Sequence, residues 1–308
     1  MRPTLRQLEY LVAIADTGKF GDAAKRVNVS QPSLSAQIAD MEAYLGNVMI
    51  ERGRHGAFMT PIGEEAVRRA RLVLRDVEEL KAVVQSNGGA LAGRIRLGVL
   101  PTIGPYLLPA VTRHLHAKYP DFRLNVREER TIDLEAHLHD GRLDTVISTI
   151  EDHSDAEHAV LFEENLWICA APDHPLAQAA GDVKLPDLKG ESLLTLGYGH
   201  RFNLKIRSLA EAAGAHVSTE YEGTSLDAIR QMAEMGAGVA VFPSLYALTE
   251  ARRDPDLVVR RIDDPLARRE ISLIWRKTSP LSDRLQKLAE ELKAAAVSVL
   301  VGRPGRAG

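Results

Sequence analysis

At 308 residues the chain is longer than one hydrophobic core organises, which implies two or three domains. Its composition, 45% hydrophobic and 26% charged, is that of a globular protein, and no apolar run approaches the about 18 residues that a membrane-spanning helix needs. A net charge of −3 does not point to nucleic acid, although only a local patch need be basic; the lone Cys169 excludes an internal disulfide and agrees with a reducing cytoplasm.

The N-terminal stretch has a short apolar core, but it carries Glu9 and Asp16 and lacks a small-residue cleavage site. It therefore reads as a helix over 4–17 and not as a signal peptide. Leu5, Leu8, Leu11, Val12 and Ala15 give that helix an apolar face. A second helix is expected over 20–27, with Phe20, Ala23, Ala24 and Val27 on one side. Asn28 and Val29 break it. Ser30 is a good N-cap and Pro32 suits the first turn of a third helix, which stops at Gly46. The apolar face of this third helix is Leu34, Ile38, Met41, Ala43 and Leu45. Its other face carries Gln31, Ser33, Ser35 and Gln37, with Pro32 among them. Short, uncharged, hydrogen-bonding side chains suit a helix that enters a DNA major groove, where an ordinary surface helix carries Lys and Glu.

A strand at 48–50, the turn Arg52-Gly53-Arg54-His55-Gly56 and a return strand at 57–59 read as a wing. Arg52 and Arg54 stand where a wing meets phosphates or the minor groove; the plainer alternative is solvated turn charge. Thr60-Pro61 then opens a long helix to about Gln85. Val67, Ala70, Leu74, Val77, Lys81 and Val84 recur at heptad spacing, and Leu72, Val73, Leu80 and Val83 widen the seam. Such a helix is expected to pair with a second copy of itself.

Past the glycines at 88–89 strands and helices alternate. Strands are expected at 95–99, 122–128 and 144–150, with helices at 105–117 and 132–140. A second block begins near Glu163, with strands near 166–171, 192–196, 217–222 and 238–242 and helices near 203–213, 225–235 and 243–250. A strand at 269–276 and a last helix capped by Ser279-Pro280 follow. This order implies parallel βαβ units in two α/β halves joined by crossing strands, with a ligand cleft between the halves. Leu100–Pro105, Gly197–Arg201 and Gly223–Ser225 are expected to bring turns or helix N-termini to that cleft. Backbone N–H groups there favour anionic or strongly polar molecules.

The residues Ala23, Ala24, Val29, Ser30, Gln31, Pro32, Ser33, Leu34, Ser35, Gln37 and Ile38 form a pattern that resembles the N-terminal motif of LysR-type transcriptional regulators, and the resemblance covers nearly the whole chain. Ala36 stands where many members place Arg, which removes one base or phosphate contact. The resemblance implies an α+β multidomain protein. A winged helix-turn-helix occupies 1–60 and a dimerising linker helix 61–88. Residues 89–308 form an α/β effector domain of the type-2 periplasmic-binding-protein layout, with subdomain I at 89–162 and 268–302 and subdomain II at 163–267. It implies a cytoplasmic regulator whose partners are double-stranded DNA at an inverted-repeat promoter site, a small-molecule effector, and further copies of itself as a dimer and a tetramer. RNA polymerase is a further candidate. The first sixty residues carry seven basic against six acidic groups, so affinity should rest on several heads acting together.

Within that family the chain resembles the OxyR-type peroxide sensors. The shared runs are Leu5–Val12, Pro101–Pro109, Gly199-His200 and Thr224-Ser225-Leu226. In those sensors a reactive cysteine directly follows the Gly-His pair and a second lies nine residues on. Here Arg201 and Ala210 stand at those positions, and Cys169 stands in for neither, so no thiol–disulfide switch is expected. Thr102, Thr131 and His200 resemble the groups that hold peroxide there. Arg201 puts a planar cation where the thiol was, which suits a carboxylate or phosphate. The expected effector is a small polar or anionic molecule held by Thr102, Thr131, Arg201 and Thr224, with His200 tuning it by pH. The alternatives are a solvent-facing Arg201 and a structural His200.

Two other functions compete: a peroxide response through Cys169 or non-cysteine chemistry, and a small-molecule-binding protein without DNA function, which leaves the first sixty residues unexplained. An enzyme is not expected, since no G-x-S-x-G elbow occurs. Neither a cofactor nor a metal is expected. His114/His116 and His137/His139 are two apart on helices and face different sides, and Gly197-Tyr198-Gly199 lacks the third glycine of a dinucleotide fingerprint.

Overall fold

The computed structural model describes residues 3–53, 56–85, 91, 93–153, 155–197, 200–220, 223 and 225–300, and all side chains among them but those of 79, 82–85 and 298. They fall into two units, one within Met1–Gly89 and His139–Arg142, the other within Ala90–Leu138 and Leu143–Gly308.

The first unit opens with α1 (Leu5–Thr17), started by a reciprocal cap: Thr4 Oγ1 accepts from the Gln7 N–H, and Gln7 Oε1 accepts from the Thr4 N–H. Gln7 is buried, and its side-chain amide also reaches the Gln37 carbonyl and the Asp40 carboxylate, at 3.3 Å each. The buried face of α1 is Gln7, Tyr10, Leu11, Ala13 and Ile14; of the expected stripe Leu11 is buried, Leu8, Val12 and Ala15 pack half-buried at its edge, and Leu5 is exposed. Next, α2 (Phe20–Arg26) buries Ala23 and Ala24. In α3 (Gln31–Leu45), Ser30 Oγ accepts from the Ser33 N–H at 3.3 Å, Pro32 sits in the first turn, and Gly46 ends the helix in the left-handed conformation. Leu34, Ile38 and Met41 are buried, whereas Ala43 and Leu45 are exposed, because about 100° of rotation per residue carries them off the core face.

The wing is an antiparallel pair of β1 (Ile50–Gly53) and β2 (Gly56–Met59). It begins two residues later than expected, because Glu42 Oε1 accepts from the N–H groups of Met49 and Ile50 at 2.7 and 3.0 Å and holds the incoming chain against α3. Thr60 caps α4 (Pro61–Gln85), accepting from the Gly63 N–H at 3.0 Å. Gly63 is indispensable here: a Cβ on it would lie 2.0 Å from the Met49 carbonyl oxygen. The apolar residues of α4 divide. Of the heptad set Val67 and Ala70 are buried in this unit's own core and Leu74 and Val77 are half-buried, while Val73 and Leu80 of the second set are exposed.

In the second unit β3 (Gly93–Val99), α5 (Gly104–Lys118), β4 (Phe122–Glu128), α6 (Thr131–His139) and β5 (Thr145–Ser148) make two βαβ units, with β3 parallel to both β4 and β5. Then β6 (Ala156–Cys169) crosses to a second half. That half consists of α7 (Pro175–Gln178), β7 (Ser192–Leu194), α8 (Phe202–Ala213), β8 (His216–Val217), α9 (Leu226–Glu234), β9 (Val239–Pro243), α10 (Ser244–Arg253) and β10 (Val259–Arg261). The chain returns through β11 (Arg268–Arg276) to α11 (Ser282–Leu300). The strand order is β4-β3-β5-β11-β6-β9-β7-β8, with β10 also paired to β6. Each half has its own core: Ile95, Leu97, Val111 and Leu273 in one, Ile168, Leu193, Ile206 and Val241 in the other.

The parallel βαβ expectation holds within each half, but the halves are joined by antiparallel strands. Residues 156–165 of β6 pair with β11, and residues 166–169 pair with β9. The first ten residues of β6 carry three Glu and a His and do not look like a strand; pairing along β11 makes them one. The strand expected at 217–222 is two residues long, as the Ser218 hydroxyl accepts from the Glu220 N–H and turns the chain away. The last helix starts at Ser282. Ser279 spends its hydroxyl and carbonyl on the N–H groups of Leu281 and Ser282, in a turn ahead of the helix.

Candidate functional site

Two sets of side chains stand out, one in each unit. On α3, Gln31, Pro32, Ser33 and Gln37 are exposed and Ser35 is half-buried, opposite the buried face of Leu34, Ile38 and Met41. Arg52 of the wing does not simply extend into solvent. Its Nη2 donates to Ser35 Oγ at 2.7 Å, and its guanidinium lies 4.4 Å over the Phe20 ring. Because Ser35 Oγ accepts from a cation, its own O–H remains to donate outward. Arg54 lies outside the described residues. This face can therefore offer amide and hydroxyl groups to base edges, which are read by donor and acceptor pattern.

The second set surrounds a cavity of about 250 Å³ in the second unit. Thr102 follows β3, Thr131 is the first residue of α6, and His200 and Arg201 precede α8; all four line the cavity. The structure thus brings together four of the five residues expected at the cleft, and the fifth, Thr224, lies outside the described residues. Thr102 and Thr131 are buried. Gly104, just after this turn, lies against the end of the Glu128 side chain: a Cβ there would lie 2.6 Å from Glu128 Oε1.

Arg201 is not an unpaired cation. Its Nη1 donates to Asp152 Oδ1 at 3.0 Å, and the other oxygen of that largely buried carboxylate accepts from Thr149 Oγ1 at 2.7 Å. The pair links the turn after β5, in the first half, to the start of α8, in the second. Arg269 is likewise paired. Its Nε donates to Glu164 Oε1 at 2.6 Å and its Nη2 to Thr102 Oγ1 at 3.2 Å, and it lies 5.0 Å over the Phe202 ring. Arg269 and Glu164 face each other across β11 and β6 and are both buried. Lys205, half-buried one helical turn after Arg201, and Glu151 also line the cavity.

Burial, and then the nearby Arg130, hold the His200 imidazole below its ordinary range, so it is uncharged at neutral pH and acts there as a hydrogen-bonding group. Burial does the same to His153, against the opposing pull of Asp152, and its Nε2 has no hydrogen-bond partner among the described residues. Cys169 lies buried on β6, where desolvation pushes its thiol up to about 12. It is therefore a thiol at neutral pH and a poor target for oxidation.

Thr149, Asp152, Glu164, Lys205 and Arg269 were not among the residues expected at the cleft. Lys205 had a signal, its spacing of four from Arg201 on one helix. Thr149 and Asp152 had theirs, a spacing of three within one turn; Glu164 and Arg269 had none, because their meeting depends on strand register between distant segments.

Two family profiles match the chain. "Bacterial regulatory helix-turn-helix protein, lysR family" covers residues 5–64, and "LysR substrate binding domain" covers residues 88–297. The chain is 38% identical over 291 residues to the DNA-binding transcriptional dual regulator OxyR of Escherichia coli strain K12, which spans 94% of this chain and 95% of that protein. It is 30% identical over 294 residues to the HTH-type transcriptional regulator EstR of Acinetobacter baylyi, covering 94% and 96%. Among solved structures, full-length OxyR from Pseudomonas aeruginosa, a cysteine-to-aspartate variant, is similar with a TM-score of 0.76 at 32% identity, over 94% of this chain and 97% of that one. An H2O2-bound cysteine-to-serine variant of Corynebacterium glutamicum OxyR is similar with a TM-score of 0.67 at 29% identity, over 98% and 95%.

Proposed function

Because the chain belongs to the LysR family of bacterial DNA-binding transcriptional regulators, we propose that it responds to a small polar or anionic effector in the cavity beside Thr102, Thr131, His200 and Arg201, without a thiol–disulfide switch. The observation that carries this reading is the pairing of Arg201 with Asp152. A charge-assisted hydrogen bond links the two halves at the position where the peroxide sensors place a reactive cysteine. An effector that competes for either member shifts the balance between open and closed arrangements of the halves, and so the spacing of the DNA-binding heads.

On DNA, Gln31, Pro32, Ser33, Ser35 and Gln37 enter the major groove, and Arg52 and Arg54 of the wing lie beside it. The exposed Val73 and Leu80 of α4 form the seam of a dimer, which presents two heads to an inverted repeat; a tetramer engages a longer site. The protein works in the cytoplasm, at promoters shared with RNA polymerase, and performs no catalysis.

One observation favours a second reading, in which peroxide itself is the ligand. A relative was solved with H2O2 bound, and Thr102, Thr131 and His200 keep polar groups at the cavity. No thiolate waits there, since Cys169 is buried and its thiol is pushed up to about 12. A promoter reporter with the full-length protein separates the readings. On the first, the peroxide response is absent, and Arg201→Ala alters the response to a metabolite found by thermal-shift screening. A peroxide response lost in Cys169→Ser sinks it.

A further inference from the structure

Among the described residues three cations line the cavity, and two of them are already paired. Arg201 is held by Asp152, and Arg269 by Glu164 and Thr102. Lys205 is half-buried on the same side of α8 as Arg201, and among the described residues it has no hydrogen-bond or ion-pair partner. An ammonium held beside low-dielectric walls without a counter-charge attracts an anion more strongly than one in bulk water, and its three N–H donors are free to meet one. The carboxylates among the described lining residues are Asp152, spent on Arg201, and Glu151, which is exposed. Because Arg201 and Arg269 are already paired, no second unpaired cation among the described lining residues is left to meet a second negative group on the same ligand. The remaining wall includes Leu100, Phe202 and Leu204, which accept an apolar body.

We infer that Lys205 selects the effector: its ammonium takes the carboxylate of a small monocarboxylate whose apolar remainder lies against Leu100, Phe202 and Leu204. The inference rests on the effector reading of this cavity and refines it. Arg201, the more conspicuous cation, serves the link between the halves, and Lys205 supplies the charge that recognises the ligand.

Titration calorimetry of butyrate, succinate and inorganic phosphate into the full-length protein at neutral pH tests this. Wild type binds butyrate more tightly than succinate or phosphate. Lys205→Met weakens butyrate at least about tenfold, as loss of a charged hydrogen bond implies, and Lys205→Arg restores most of the affinity. Thermal unfolding without ligand shows that each variant is folded, and Lys205→Gln supplies the same comparison if the Met variant is not. Equal butyrate binding by wild type and a folded Lys205 variant overturns the inference and leaves the effector cavity standing. Tighter binding of succinate or phosphate overturns the monocarboxylate assignment. Wild type that binds none of the three overturns both the inference and the anionic-effector reading beneath it.

Discussion

The DNA-facing side of α3 with the wing's Arg52, and the cavity of the second unit, both combine hydroxyls with arginine, in opposite settings. On α3 Gln31, Ser33 and Gln37 are exposed, and the half-buried Ser35 is held by one contact from Arg52. Around the cavity Glu164 and Arg269 are buried, and Asp152 is largely so; each is paired within the chain before any ligand arrives. Water solvates an exposed polar group until a partner displaces it, whereas a buried charge must be paired from within the protein. Residues on the first surface are therefore available for recognition, and the most charged residues of the second are mainly scaffold.

The largest expected effect tests that contrast directly. Glu164→Ala strands Arg269 as an uncompensated buried cation and should cost about 3–5 kcal/mol in chemical denaturation of the second unit. A loss well below 1 kcal/mol would mean that water reaches the pair and that the two settings do not differ. In the first unit the comparably sensitive position is not a recognition residue at all. Gly63→Ala drives a methyl group into the Met49 carbonyl and should destabilise by about 1–3 kcal/mol, seen as a lower thermal midpoint and weaker DNA binding together.

Changes on the exposed face should leave stability almost untouched and act on specificity. Ser35→Ala or Gln31→Ala should cost about 1–3 kcal/mol at one base position when binding is measured across single-base variants of a selected site. Uniform weakening at every position would make them backbone contacts. Arg52→Ala should relax preference at the same base as Ser35→Ala, and the double variant should show less than the sum of the two losses, because one residue orients the other.

The smallest effect is on pH dependence. His153 and His200 are held below their ordinary range by burial, so below about 6.5 the unfolded chain binds protons that the folded chain refuses. Their contribution is fully present above that value and is lost as pH falls from there through the lower folded value. The thermal midpoint should drop between pH 7 and pH 5, and His153→Gln should flatten that slope. An unchanged slope would mean that His153 is open to solvent.

Much of the first unit could be read in advance because its signals are short-range. Ser30 and Pro32 start α3 and Gly46 ends it, and the polar residues between them face outward as expected. Where the reading failed, a residue from elsewhere intervened. Glu42 delays the wing, and Gln7, read only as part of a shared run, is a buried tie from α1 to α3. At the cavity the same reasoning located Thr102, Thr131, His200 and Arg201 but not the carboxylate that Arg201 meets, since nothing near it in the chain announces Asp152.

By itself the amino-acid sequence determined the helix-turn-helix, the long α4, the two α/β halves and the absence of a second thiol. Caps, periodicity and composition act within a turn or a strand and need no distant partner. Only the tertiary structure decided that β6 is one strand serving both halves, that Arg201 is paired with a carboxylate 49 residues away and Arg269 with one 105 residues away, and that Lys205 is left without one. A charge is neutralised by whatever strand register and chain crossing place beside it, and those are set by how whole layers pack.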